Sequence, residues 1–263
     1  MDSGLLNFIL NIASVIIGLM LGSFVSLASY RFPLGEEIII KSSHCPKCNN
    51  RLGIKDLFPV FSWLFSKGKC RYCNYSVSFR YPLIEMITAI ITLLIHNQYG
   101  FTYIGLIYLL IAICLVILII TDFEHYIIPD QIQLALLVIS IFYNAYINNI
   151  SFDPIVSSLI ATATGIALRK VIFIWKKQDP LGIGDIKFLA VSGLYLKPEI
   201  LPVYLFLSGT IGILTAIFWQ IIGKGKIFPF GPALAISMFI CLMHPQINNI
   251  LINMISNLIL KIG

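Results

Sequence analysis

Residues 101–120, FTYIGLIYLLIAICLVILII, run for twenty positions without a charge, and Thr121-Asp122 follows them. Twenty apolar residues in a helix cover about 30 Å, the thickness of a bilayer's hydrocarbon core. The stretch therefore predicts a membrane-spanning helix that ends at an acid. The uncharged run reaches back to Glu85, enough for two helices, with a break at His96-Asn97-Gln98-Tyr99-Gly100. Similar gaps lie between Asp2 and Arg31, Asp130 and Asp153, Asp153 and Arg169, Glu199 and Lys224, and Lys226 and Lys261. The last is divided at His244-Pro245-Gln246.

These gaps predict spans over 5–29, 82–96, 101–120, 131–148, 155–174, 185–196, 201–222 and 230–243. The stretch 247–261 is a ninth span or an interfacial helix. The expected fold class is an all-α polytopic membrane protein of about eight transmembrane helices with a small cytoplasmic zinc-binding loop domain. Segment 185–196 is short and contains Gly193, which makes it the weakest helix signal. The first span is too long for a signal peptide and lacks its cleavage pattern, so it reads as a retained anchor.

Composition excludes the other classes. Hydrophobic residues are 58% of the chain and charged residues 11%, against about 25% charged in ordinary soluble domains. Mean hydropathy is +0.91. A chain this apolar cannot cover itself with polar groups in water. Disordered, collagen-like and disulfide-scaffold readings fail on the same numbers.

Lys and Arg set the orientation. With alternating spans, loops 30–81, 121–130, 169–187 and 223–229 share one side and carry 16 of the 18 basic residues. That side is expected to be cytoplasmic. Nine of the basic residues stand in loop 30–81 against Glu36, Glu37 and Asp56. Topology and attraction to anionic lipid explain this excess. No nucleic-acid partner is expected, because no further basic and aromatic surface accompanies the loop.

The same loop holds Cys45-Pro46-Lys47-Cys48 and Cys70-Arg71-Tyr72-Cys73. Each CxxC pair can bring two thiolates to one ion, and four thiolates suit tetrahedral zinc. A loop of this size has too little core to fold unaided, so a metal would supply stability. Two disulfides or four unpaired thiols are the alternatives, and a reducing compartment disfavours the disulfides. Cys114 and Cys241 stand alone in apolar spans and read as ordinary buried residues.

Acids beside spans need separate weighing, since an ionised Asp at mid-bilayer costs about 2.5–3.5 kcal/mol on insertion scales. Asp122 ends the third span, and Asp185 opens the sixth within Gly182-Ile183-Gly184-Asp185-Ile186-Lys187. Both fall on the same side of the membrane. Two facing carboxylates share one proton, so one can activate water while the other hydrogen-bonds a carbonyl. The glycines before Asp185 permit a tight turn and close approach of a substrate strand. Helix capping explains the same acids without catalysis. Asp130, after Pro129, reads as a cap; Glu124 and His125 read as solvated loop residues. Glu85, at the start of the second span, is equally a first-turn helix acid.

Nearly the whole chain resembles the bacterial type IV prepilin peptidases, the leader peptidases and N-methyltransferases that are GxGD-type aspartic proteases of the inner membrane. The residues that carry the resemblance begin with Gly22-Ser23-Phe24, Tyr30-Arg31-Phe32-Pro33 and Ser43-His44 before Cys45. Asp56, Pro59-Val60-Phe61-Ser62-Trp63-Leu64 and Gly68-Lys69 before Cys70 continue it. Ser78-Phe79-Arg80-Tyr81-Pro82-Leu83-Ile84-Glu85, the Asp122 segment through Ile128-Pro129-Asp130, Gly182 to Lys187, and Phe230-Gly231-Pro232 complete it. Ile128 stands where the family more often has Leu, and Ser26 where Asn is commoner.

The resemblance implies Asp122 and Asp185 as the catalytic dyad, supported by Gly182, Gly184 and Lys187, with zinc on Cys45, Cys48, Cys70 and Cys73. It implies removal of a short basic leader from type IV prepilin or pseudopilin precursors, after a Gly at the cytoplasmic face, in pilus biogenesis or type II secretion. It further implies methylation of the new amino terminus from S-adenosylmethionine. There is no Rossmann-type Gly-rich turn, so the methyl donor's site falls to the loop and nearby helix ends, with Glu85 as cofactor-binding residue by family analogy. The expected division is 1–29 as first transmembrane helix, 30–81 as tetracysteine domain and 82–263 as transmembrane peptidase domain. A proton-relay transporter would place its acids mid-span. A non-catalytic assembly factor would explain the cysteines but not two matched aspartates.

Overall fold

The structure, a computed structural model, describes residues 3–38, 42–147, 151–177, 181–223, 225 and 228–244. The stretch 247–261 lies outside the described residues. Among these residues the chain is helical, with no strand longer than an isolated bridge. Its helices are α1 (Ser3–Arg31), α2 (Phe61–Phe65), α3 (Arg80–Tyr99), α4 (Tyr103–His125), α5 (Asp130–Ile147), α6 (Asp153–Lys176), α7 (Ile183–Gly193), α8 (Leu201–Ile221) and α9 (Gly231–Met243).

Five segments are long and apolar enough to cross a membrane: Gly4–Leu34, Tyr103–His125, Asp130–Ile147, Asp153–Trp175 and Pro198–Ile221. The helices α7 and α9 have 11 and 13 residues, and at 1.5 Å per residue they reach only about 16–20 Å. Helix α3 is long but carries buried Glu85, Thr88 and Thr92.

The chain divides into two compact units, 1–117 and 118–263. In the first, α1 and α3 lie side by side. Their approach depends on Gly22, where an added Cβ would fall 2.5 Å from the Cα of Glu85. Small residues at such points let two backbones meet closely in lipid. Thr88 and Thr92 spend their hydroxyls on carbonyls one turn back, those of Ile84 and Thr88. The buried Arg31 closes the end of α1 by donating to the carbonyls of Glu37, Ile38 and Ser42. Arg80, opening α3, reaches Ser29 Oγ at 2.8 Å. The loop thus leaves and re-enters the helix pair through two arginines.

In the second unit α6 packs on α7 and α8 on α9. Ser158 Oγ donates to the Ala190 carbonyl, and Asn144 donates to that of Leu194. Buried Tyr195 donates to the Leu136 carbonyl, which joins the end of α7 to α5. These polar links satisfy groups that lipid would leave unpaired. They also fix α7, the short helix whose first turn carries Asp185.

Candidate active site and metal centre

Helix α4 does not stop at residue 120, where the uncharged run ends. It continues to His125 and closes on Tyr126, whose φ of 56° is left-handed and whose N–H bonds the Asp122 carbonyl. Asp122 therefore sits in the last turn of a helix, the end where the dipole disfavours an anion. It is 6% exposed. An acid that is both buried and at the unfavourable pole needs a compensating donor, and one is present. The amide N–H of Gly231, at the head of α9, donates to Asp122 Oδ2 at 2.8 Å. That amide is one of the donors a helix start leaves unpaired.

Asp185 is the third residue of α7, and its Oδ2 accepts the N–H of Gly182 at 3.0 Å. The capping expectation is thus met at Asp185 but not at Asp122. The Asp122 carboxylate lies within electrostatic range of Asp185. Each carboxylate receives one N–H from the start of a helix, α9 for Asp122 and α7 for Asp185, where an anion is favoured.

Ile128 joins the two halves of this arrangement. A Cβ on Gly184 would lie 3.4 Å from Ile128 Cβ, and one on Gly231 would lie 3.1 Å from Ile128 Cδ1 and 2.7 Å from Asp122 Oδ2. The Ile128 side chain accordingly fills the space between Gly184 and Gly231; a Cβ at Gly184 would make ordinary contact with it, whereas one at Gly231 would crowd both Ile128 and Asp122. Lys187 Nζ meets Asp130 Oδ1 at 2.8 Å, which ties the starts of α7 and α5. Asp130 is thus an ion-pair partner as well as the first residue of α5. Both side chains are exposed, so the pair positions more than it stabilises. Trp219 adds an aromatic wall: it stacks on Phe123 and its Nε1 donates to Tyr126 Oη at 3.2 Å.

Gly231, Ile128 and Trp219 escaped the sequence reading as site residues. Phe230-Gly231-Pro232 was visible as a motif, with Pro at a helix start, but nothing in it pointed to Asp122. Trp219 gave no signal within an apolar helix.

In the first unit, the Sγ atoms of Cys45, Cys48, Cys70 and Cys73 all lie within 4.8 Å of one another. Cys45 and Cys73 are 3.9 Å apart, close to the edge of about 3.8 Å for a tetrahedron with 2.3 Å metal–sulfur bonds. The set is able to hold one metal ion. The two knuckles repeat each other. Cys45 N–H bonds the Asn50 carbonyl and Asn49 N–H the Cys45 carbonyl, while Cys70 N–H bonds the Tyr75 carbonyl and Asn74 N–H the Cys70 carbonyl. Asn49 and Asn74 both have φ of 55°, a conformation Asn tolerates better than most residues. The repeated Cys-x-x-Cys-Asn was legible as a signal for this turn.

Burial pushes the Cys45 thiol up, but the amides of Cys48 and Lys47 and the thiols of Cys48 and Cys70 outweigh it and leave Cys45 at about 7. At Cys73 the backbone of Tyr75 lowers the thiol, while burial and the other three cysteines push it up to about 11. Four thiols in one cluster resist joint ionisation, a cost that a dication removes. Lys47 lies over the Tyr75 ring at 5.0 Å and Arg71 pairs with Asp56 at 3.3 Å, fastening the knuckles to their surroundings.

Glu85 lies below this loop and is 7% exposed. Its Oε2 accepts the N–H of Val60 at 2.7 Å, and Ser23 bonds it from α1. Val60 has φ 61° and ψ −51°, and Phe61 N–H bonds the Pro59 carbonyl. This is a γ-turn of the rare strained kind with a β-branched residue at its centre. A carboxylate has about four acceptor positions, and two of Glu85's are committed.

Comparison with known proteins finds matches along most of the chain. Residues 16–99 match the bacterial peptidase A24 N-terminal domain, and residues 109–217 match the type IV leader peptidase family. A prepilin leader peptidase/N-methyltransferase of Neisseria gonorrhoeae is 30% identical, with 86% of this chain and 88% of the relative covered. A protein of the same name from Bacillus subtilis (strain 168) is 32% identical, covering 87% and 92%. No solved structure matches the chain.

Proposed function

The chain belongs to the type IV leader peptidase family, and on that premise we propose that it cleaves the leader from type IV prepilin or pseudopilin precursors through Asp122 and Asp185. The observation that carries the reading is the pair of carboxylates within electrostatic range, each supplied with one backbone N–H from a helix start.

The pair shares one proton. The ionised carboxylate takes a proton from water as the water oxygen attacks the carbonyl carbon of the scissile bond. The protonated carboxyl donates a hydrogen bond to the carbonyl oxygen as charge develops there. Return of a proton to the leaving nitrogen breaks the C–N bond and restores the shared-proton state. The amides of Gly231 and Gly182 hold the carboxylates in place throughout, and Lys187 with Asp130 fixes the starts of α7 and α5. Cleavage after a Gly suits a site hemmed by Gly184, Ile128 and Gly231, and the new amino terminus remains at the membrane face.

The second activity is N-methylation of that terminus. S-adenosylmethionine supplies an electrophilic methyl group on a sulfonium centre when bound. The buried Glu85 carboxylate, with acceptor capacity left, fits a cationic group, and we assign it to that side of the reaction. Zinc on Cys45, Cys48, Cys70 and Cys73 would hold the two knuckles together and take no part in the chemistry.

The protein then resides in the bacterial inner membrane with α1 and α3 to α9 as its eight membrane helices, of which α7 and α9 are too short to cross the whole hydrocarbon core. The catalytic face is cytoplasmic, the side of loop 30–81 and its basic excess. Segments 1–29, 30–81 and 82–263 act as anchor, metal-bound module and peptidase. The pathway served is pilus assembly or type II secretion.

The test is cleavage of a prepilin-type precursor by the purified full chain, with mass spectrometry of the released protein. Leader removal with an added methyl group dependent on S-adenosylmethionine supports both activities. Cleavage by Asp122→Asn or Asp185→Asn at the unaltered rate would refute the dyad.

A further inference from the structure

Loop 30–81 carries an apolar face that the proposed chemistry does not use. Ile54, Leu57, Phe58, Phe61, Leu64 and Phe65 fall within twelve residues, and all are exposed, Ile54 by 88% and Phe65 by 81%. The rings form a row: Phe58 and Phe61 centroids are 5.7 Å apart, and Phe61 and Phe65 stack at 6.5 Å. Phe61, Leu64 and Phe65 occupy positions i, i+3 and i+4 of α2, so they share one side of it. Trp63 points the other way, donating from Nε1 to the Val77 carbonyl and meeting Phe79 edge-on at 5.5 Å. Helix α2 is therefore held to the loop by one face and leaves the other bare. Contiguous apolar surface of this kind marks contact with a membrane or a partner.

Three observations identify the occupant. First, Val60, the residue before α2, is bonded to Glu85, five residues or about 7–8 Å inside α3. Second, Glu85 stands against Gly22 of α1, nine residues or about 13 Å short of that helix's end at Arg31. The start of α2 is thus pulled down beside the helix pair, to a depth below the end of a membrane-spanning helix. Third, exposed Lys55 stands within this run and exposed Lys67 and Lys69 follow it in the chain, a basic accompaniment that suits anionic headgroups.

We propose that Ile54, Leu57, Phe58, Phe61, Leu64 and Phe65 form a surface buried in the phospholipid leaflet that surrounds the loop end of α1, so that the tetracysteine module is held flat on the bilayer. The inference rests on α1 as a membrane span but not on the peptidase activity. It gives the strained Val60 turn a purpose: the γ-turn directs the chain from its bond with Glu85 into α2 along the interface. The module is then fixed against the membrane by lipid contact as well as by its two ends.

The experiment places a Trp on the face of the full-length protein and reads its quenching by brominated phospholipid in nanodiscs containing phosphatidylglycerol. Phe65→Trp is made in a Trp175→Phe, Trp219→Phe background, and the emission of Trp63 in the parent is subtracted. Bromines near the glycerol end of the acyl chains should remove most of the added emission, and bromines at the chain ends should remove less. Leu64→Trp serves as a second reporter should Phe65→Trp lose its bound metal. Lack of quenching, or stronger quenching by chain-end bromines, overturns the proposal; the first is also the result if a second copy or another part of the chain covers the face. An Ile16→Trp control, midway along α1 and 52% exposed, separates the premises. If it escapes chain-end bromines, α1 is not a span and the inference falls with it.

Discussion

The amide of Gly231 donates to Asp122 Oδ2 at 2.8 Å across 109 positions of chain. A helix start thereby meets an acid lodged at a helix end. The carboxylate sits where the dipole of its own helix repels it and the dipole of another attracts it. Local preference is broken at this point and repaired only by a distant segment, a pattern characteristic of functional sites.

A side chain at Gly231 would press on Asp122. An added methyl would stand 2.7 Å from Asp122 Oδ2 and 3.1 Å from Ile128 Cδ1. Gly231→Ala should leave the protein folded but displace Asp122. A misplacement near 1 Å costs about 100-fold in rate. Cleavage of a prepilin in detergent, with bound metal as the check on folding, measures this. Activity within a few-fold of the parent would show that the contact does not position the acid.

Asp122→Asn and Asp185→Asn should each reduce cleavage by at least about 100-fold, the lower end of general acid–base contributions. The double variant should be little worse than either single one, because the carboxylates act as a unit. Additive losses would indicate independent roles. Asp130→Asn, which removes only an exposed ion pair, should have a much smaller effect on stability.

Purified protein should contain about one zinc per chain, as one tetrahedral site requires. Cys45→Ser with Cys70→Ser removes one ligand from each knuckle and should abolish binding. Structural zinc sites contribute on the order of 10 kcal/mol, so the loop should become readily cleaved by added protease. Full metal content in the double variant would exclude the cluster as the site.

Val60 and Glu85 should respond in opposite directions. Val60→Gly relieves a β-branched residue of a positive φ, a strain of about 1–3 kcal/mol, and should raise or preserve the thermal midpoint. Glu85→Ala removes the acceptor for the Val60 N–H and should lower it. If Val60→Gly proves the more destabilising, packing of the Val side chain outweighs the backbone strain.

Much of the architecture was visible in the placement of charge. Helices occur at all eight expected positions, and five segments are long and apolar enough to cross a membrane, because a lipid-facing segment cannot carry charge cheaply. Their ends were less legible. Helix α4 passes residue 120 to reach His125, since the left-handed Tyr126 and not the last apolar residue stops it. Segment 185–196 proves to be the shorter Ile183–Gly193, with Gly193 at its last position packed against the backbone of Ser158. The partnership of Lys187 with Asp130 was hidden, as two exposed charges 57 positions apart carry no local pattern.

Sequence alone determined the membrane class, the run of helices and the two cysteine knuckles. Each of these follows from spacing over a few turns: an uncharged length that matches lipid, or two thiols three residues apart. Only the folded chain decided that Asp122 receives the Gly231 amide, that Ile128 fills the space between Gly184 and Gly231, and that Val60 hangs from Glu85. Those relations depend on where distant segments close on one another. The direction of a single N–H or the room beside one glycine is set by that closure, and no periodicity along the chain records it.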